Sequence, residues 1–330
     1  GVLLSARSTA TDQGDDDVID LGEGGSLVIA GLGNDSVTTG LGDDVVLGDN
    51  GEATFTDGVL TSLISTETSL GGDDVISVGD GAATVIAGQG NDTVTTGNSD
   101  HVVIGDNGEV TWSETGELTL VRSIDIGQGG NDTITVGDGF SLVIGGAGSD
   151  TITAGTGDVW ILGDNGEIEL TDGLVSRVTS TDVDASTAGD DVIVTGDGTN
   201  TVIAGLGADS VTTGTGNDVV LGDAGELLYE AGQLVSAVST QAGLGGNDAI
   251  SLGDGDNVAI AGDGQDNVTA GLGSDIVLGD NGEVTWGPDG VLLSARSTAT
   301  DQGDDDVIDL GEGGSLVIAG LGNDSVTTGL

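Results

Sequence analysis

The sequence predicts an all-β fold: a parallel β-roll, or β-solenoid, of about five 58-residue units per 289-residue superrepeat. Three observations predict it. A nine-residue pattern, G-x-G-x-D-x-U-x-x with U apolar, recurs along the whole chain. Glycine supplies 65 of the 330 residues against a single proline, Pro288. Acids outnumber bases 57 to 4, yet 36% of the residues are hydrophobic.

The pattern dictates local structure. Its glycines permit positive φ and close backbone approach in a tight turn. The x-U-x segment alternates, so it forms a short strand with U facing inward. Two nonapeptides then make one coil with a turn on each side. Odd half-turns stack on one edge and even half-turns on the other.

The charge sets a second requirement. The net charge is -53, and the only cations are Arg7, Arg122, Arg177 and Arg296. Two carboxylates about 5 Å apart repel by roughly 3 kcal/mol at an effective dielectric of 20. Stacked acids therefore need counter-cations, and divalent ions supply the most charge per site. Cysteine and methionine are absent, which excludes disulfides and thiolate metal sites. No 18-residue apolar run exists, so no membrane insertion is expected. No basic patch exists for nucleic acid.

Internal repetition organises the chain. Gly1–Leu41 recurs letter for letter as Gly290–Leu330, which predicts a window on a longer array continued head to tail. Within it we place the end of a preceding unit at 1–13 and units at 14–71, 72–128, 129–187, 188–244 and 245–302. A sixth begins at 303–330, all in one continuous solenoid. Each unit holds four half-turns, then GDNGE or a variant of it, then a longer arm.

This register places the candidate metal ligands. The first edge carries Asp17, Asp35 and Glu52, then Asp74, Asp92 and Glu109, then Asp132, Asp150 and Glu167. It continues with Asp191, Asp209 and Glu226, Asp248, Asp266 and Glu283, and finally Asp306 and Asp324. The second edge carries only Asp44, Asp218 and Asp275, with His101 and Val159 at the matching places. Its other turns hold Ser26, Ala83, Ser141, Asn200 and Asn257, with an acid earlier in the turn (Glu23, Asp80, Asp138, Asp197, Asp254). The first edge is thus the better ladder. Carboxylates beside glycine carbonyls suit Ca2+, which takes six to eight oxygens in flexible geometry; zinc prefers nitrogen or sulfur. We expect roughly two or three ions per unit, with shifted pKa values and sodium absorbing the remaining charge.

The segments GGAGSDTITA (Gly145–Ala154), GLGNDSVTT, GQGNDTVTT and GLGSDIVLG resemble the nonapeptide repeats of the repeats-in-toxin, or hemolysin-type calcium-binding, family. The resemblance covers about two-thirds of each unit and recurs throughout. It implies a right-handed parallel β-roll with calcium-binding turns, folded by calcium after export by a type I route to the extracellular space or bacterial cell surface. It also implies that the motif aspartates are calcium ligands. Tracts of this kind resemble those of giant secreted adhesins and matrix proteins.

The arms depart from the motif. EATF-TDG-VLTSLIST and its four counterparts read as two strands around a turn, and Asp-Gly is a hairpin signal. Either a hairpin protrudes, leaving two coils per unit, or the arm forms a third, wider coil. The wider coil is favoured because Glu52 and its equivalents fall in register. Five such units would span roughly 70 Å. Phe55, Trp112, Tyr229 and Trp286 share one place with Leu170, which favours packing over a ligand platform. His101 reads as a degenerate turn, Trp160 as core or a half-exposed plug, and the arginines as partners in local ion pairs.

No catalytic constellation emerges: the carboxylates repeat where a catalytic pair should be singular. A non-enzymatic structural rod, spacer or filament element of a secreted surface, adhesin or matrix protein is favoured. Its partners would be calcium ions and neighbouring repeats of the same or identical chains. The alternatives are an adhesin module binding glycan, ice or protein, and an accessory tract of a secreted hydrolase.

Overall fold

The computed structural model describes residues 3–8, 14–184, 186–299 and 303–329. Of the segment 1–13, Ser5–Arg7 pairs antiparallel with Gly51–Thr56 in the first arm, and the expectation for 9–13 lies outside the described residues. Three sheets make up the fold: two parallel, of twelve and eleven strands, and one antiparallel, of eleven. Among the described residues no helix is long and apolar enough to cross a membrane.

The first parallel sheet takes the odd half-turns. Its strands are as short as the pattern requires: Ser36–Thr38, Val75–Ser77 and Thr93–Thr95 stack with Val37, Ile76 and Val94 in register. Each central residue is fully buried, while the flanking residues face outward. The second parallel sheet takes the even half-turns, and here two adjacent apolar residues are buried. In Asp44–Leu47, Val46 points toward the first sheet and Leu47 away from it; Val85 and Ile86, then Val103 and Ile104, repeat the division. A strand apolar on successive positions is buried on both faces.

The arms supply the second cover. Each folds into an antiparallel hairpin, such as Gly51–Thr56 with Val59–Ser65 and Gly108–Trp112 with Leu118–Ser123. Asp57 and Gly58 adopt φ of 50° and 88°, the left-handed pair that a two-residue hairpin turn demands. Successive hairpins also pair with each other: Val110 lies opposite Leu63 of the preceding arm. The result is one continuous sheet lying flat against the roll. Its inner residues Ala53, Leu63, Val110, Val121, Ile168 and Val178 pack on Leu47, Ile86, Ile104, Ile144 and Leu162.

The wider coil favoured by the sequence is therefore corrected, and the hairpins do not protrude either. Each unit makes two coils, so five units advance about 48 Å rather than 70 Å. The reason is a match of pitch. Two coils and two arm strands both advance by two strand spacings, so the arm sheet stays in step with the roll it covers.

Candidate metal centre

The first edge of the roll is the turn from the second parallel sheet back into the first. One aspartate stands at the end of each such turn, just before the strand. Asp17, Asp35, Asp74, Asp92, Asp132, Asp150, Asp191, Asp209, Asp248, Asp266, Asp306 and Asp324 form a single row. The amide of each donates to Oδ1 of the next at 2.7–3.2 Å. From Asp35 to Asp306 every member is at most 2% exposed. Their Oδ2 atoms, ten in succession, are buried with no hydrogen-bond partner.

A buried carboxylate oxygen without a donor is costly unless the group is neutralised. Burial, reinforced by neighbouring carboxylates, pushes Asp74 and Asp92 up to about 8, Asp132 to about 9 and Asp248 to about 10. Burial also raises Asp209 and Asp306 to about 7, and lifts Asp150 and Asp191 well above the usual carboxylate range. A proton or a cation must compensate the row.

The surroundings favour a cation that accepts oxygen ligands. A Cβ added to Gly48 would meet both Oδ2 of Asp74 and the carbonyl oxygen of Ala87. At Gly163 it would meet Asp191 Oδ2 and the Ala204 carbonyl, and at Gly222 Asp248 Oδ2 and the Ala261 carbonyl. Glycine thus lets carboxylate and carbonyl oxygens converge on one face of the turn. Among the described residues no three His, Cys, Asp or Glu side chains cluster as a cage. The donor set is one carboxylate per rung plus main-chain carbonyls, all oxygen. It fits calcium and does not fit zinc.

The structure does not bring the five glutamates into this row. The chain leaves the edge at Asp49–Asn50, and Gly51 already begins the arm strand, so Glu52 faces outward on the antiparallel sheet. Glu52 lies 4.0 Å from Arg7, Glu109 is ion-paired with Arg122, and Glu283 with Arg296. Arg177 gathers Glu167 at 3.6 Å, Glu169 at 3.1 Å and Glu226 at 2.7 Å. The arginines do make local ion pairs.

Beside the row stand five carboxylates that sequence reasoning passed over: Asp49, Asp106, Asp164, Asp223 and Asp280. All are buried. Oδ1 of Asp106 accepts the Gly130 amide at 3.0 Å and Oδ2 accepts that of Ala147 at 2.5 Å. Asp223 takes the amides of Gly246 and Asp263 in the same way, and Asp164 those of Gly189 and Leu206. These three each staple the base of an arm to the next two turns, while Asp49 accepts the Gln89 amide and Asp280 that of Leu321. Gly146, at φ 124°, lies against Asp106 where a Cβ would clash. Burial pushes Asp49 up to about 9 and Asp164 to about 10. The recurrence of these five is visible in the sequence, since a Gly-Asp pair follows the fourth half-turn in every unit, but their partners are not.

The second edge is discontinuous. Asp44 accepts the Ser26 amide at 2.8 Å and Asp218 that of Asn200 at 2.9 Å, while the Asp275 amide donates to Ser315 Oγ at 3.1 Å. Ala83, His101, Ser141 and Val159 interrupt the acids. His101 is buried, its Nε2 2.9 Å from the Gly97 carbonyl oxygen, and burial lowers its pKa.

The family model of the RTX calcium-binding nonapeptide repeat (four copies) matches residues 22–54, 69–100, 77–109, 126–161, 144–167, 186–220 and 242–283. Those matches together span more than half of the chain. No curated protein and no solved structure matches it.

Proposed function

Because this chain belongs to the RTX calcium-binding nonapeptide repeat family and binds multiple calcium ions, we propose that it is a calcium-folded rod in a large secreted bacterial surface, adhesin or matrix protein. The observation that carries the reading is the row of ten buried, unpartnered Oδ2 atoms on the first edge. We assign Asp35, Asp74, Asp92, Asp132, Asp150, Asp191, Asp209, Asp248, Asp266 and Asp306 as ligands, completed by turn carbonyls. Asp17 and Asp324 continue that row. Asp44, Asp218 and Asp275 would serve only as isolated ligands, since the adjacent rungs carry Ser26, Ala83, Asn200, Asn257 and Ser315 at that place.

The mechanism is linkage between binding and folding. In a low-calcium cytoplasm the acids repel and the chain stays unfolded, a state suited to export by a type I route. Outside the cell, calcium binds only the stacked turns and so draws the chain into the roll. The rod then serves as spacer or filament element, and its carboxylates act as a repeated scaffold rather than as catalysts. Circular dichroism during a calcium titration from chelator tests this. Strand signal should rise cooperatively with calcium and not with sodium at equal ionic strength. A fully folded spectrum in chelator at neutral pH would overturn the reading. A ligand-binding role has one observation in its favour, the clustering of aromatic residues on the second edge.

A further inference from the structure

The chain has three Trp, one Tyr and two Phe, and five of these six aromatics line two clefts on the second edge. The clefts lie between the starts of the second-sheet strands and the tips of the arms. The first, of about 560 Å³, holds Trp112 and Phe140 with Asp43, Asp44 and Asp100. The second, of about 460 Å³, holds Trp160, Tyr229 and Trp286 with Asp158, Asp218 and Asp256. Phe140 and Trp160 meet at 5.1 Å between ring centroids, and Trp160 and Tyr229 at 6.5 Å edge to face, so the aromatic run joins the two clefts. All five rings are half-buried and keep accessible surface.

The carboxylates are placed to meet positive charge. Asp44 and Asp218 are at most 1% exposed, and their Oδ2 atoms have no hydrogen-bond partner. Asp43, Asp100, Asp158 and Asp256 sit at the lips, each held by one amide donor at 2.8–3.1 Å. No arginine answers them: all four pair with glutamates of the arm sheet.

We propose that these clefts bind an organic cation, a quaternary or protonated amine whose apolar groups lie on the rings and whose charge faces the carboxylates. Aromatic faces attract such cations, and a chain of charge -53 concentrates them near its surface. Calcium satisfies carboxylates but gains nothing from rings. A neutral sugar could lie on the rings and donate its hydroxyls to the carboxylates, but it gains nothing from their negative charge, which is why cellobiose is one arm of the test. The arm rings Trp112, Tyr229 and Trp286 are also not required for the fold, because Leu170 fills the same place in the third arm.

This site uses none of the first-edge row, though it shares Asp44 and Asp218 with the isolated second-edge positions, so the test uses the calcium-saturated chain, in which the row holds the fold. All three tryptophans line the clefts, so their fluorescence reports occupancy directly. Choline is titrated against its neutral isostere 3,3-dimethyl-1-butanol and against cellobiose. The expected result is saturable binding of choline, about tenfold or more tighter than the isostere. The double variant Trp112→Leu, Trp286→Leu should weaken it by about tenfold, followed by calorimetry, with unchanged calcium-dependent strand signal. Asp100→Asn with Asp256→Asn, both exposed at the lips, gives an independent pair expected to weaken binding in the same direction. No saturable response, equal affinity for the neutral isostere, or a preference for cellobiose overturns the proposal.

Discussion

The two edges of the roll use the same turn and reach opposite solutions. On the first edge every rung carries an aspartate, and the row leaves a continuous line of oxygens without donors. On the second edge Asn200 and Asn257 alternate with Asp218 and Asp275. Nδ2 of Asn200 donates to Asp218 Oδ1 at 3.0 Å and to the Gly196 carbonyl at 3.0 Å. Nδ2 of Asn257 does the same toward Asp275 Oδ1 at 3.0 Å and the Gly255 carbonyl at 3.1 Å. Nε2 of His101 reaches the Gly97 carbonyl, four residues back, as Asn200 reaches Gly196. A side-chain N–H thus occupies the turn carbonyls that a cation would otherwise bind. The turn needs something positive at its carbonyls, and either a metal ion or an amide hydrogen will serve.

The sharpest way to break this contrast is pH without metal. Burial raises the folded-state pKa of Asp92 to about 8, Asp132 to about 9 and Asp209 to about 7, all from 3.8. The folded chain then binds more protons than the unfolded chain between those values. The stabilisation is complete below the unfolded pKa and is lost as pH rises through the folded ones. These groups all shift in the same direction, and a domain is held together by only about 5–15 kcal/mol, so their joint ionisation is expected to unfold the metal-free chain. Metal-free chain should keep its strand signal near pH 4 and lose it by pH 8, and calcium should abolish that loss. A full strand signal at pH 8 without metal would mean the first edge needs no cation.

A smaller effect separates the edges residue by residue. Asp150→Ala leaves the Asp132 amide without its acceptor and opens a gap in the carboxylate row. Removing one partner from a buried charged network costs about 3–5 kcal/mol. We expect that loss in denaturant unfolding at saturating calcium, with a higher calcium midpoint. Asp218→Asn places on the second edge the residue its neighbours Asn200 and Asn257 already are, and keeps an acceptor for the Asn200 amide. Its cost should stay below about 1 kcal/mol. Equal costs at the two positions would erase the distinction between the edges.

The roll itself was legible because its rule is local: glycine turn, aspartate, one inward apolar residue. The pairs within each unit, such as Asp17 with Asp35, follow from that period; the direct stacking of Asp35 on Asp74 across the arm does not. The arms were harder to read. Their Asp-Gly turns announced hairpins, but Glu52 falls at the spacing of a ladder residue, and sequence spacing does not reveal that the chain has already left the edge at Asn50. The decisive clue lay elsewhere. Even half-turns carry two adjacent apolar residues that are both buried, as in Val46-Leu47 and Val103-Ile104; odd ones bury one, whether it is a lone Val94 or Ile134 or stands beside an exposed valine, as in Val75-Ile76 and Val192-Ile193. A strand buried on both faces needs a second cover, and the only segments left to provide it are the arms. The staples at Asp49 and Asp106 were hidden for a different reason: their partners are amides from turns about 40 residues away.

The smallest expected effect tests where the glutamates belong. Glu109 is ion-paired with Arg122 on the outer face of the arm sheet, and the arginine is 43% exposed. A pair so open to solvent contributes about 0.2–1 kcal/mol and weakens with salt. Glu109→Gln should therefore cost less than about 1 kcal/mol and leave the calcium midpoint where it was. Asp132→Asn, in the row beneath, should move that midpoint upward because it removes a ligand charge. If Glu109→Gln shifted the calcium titration as far as Asp132→Asn does, the arm would have to contribute to the ion sites after all. The two edges would then differ less than the outer sheet differs from what its hydrogen bonds display.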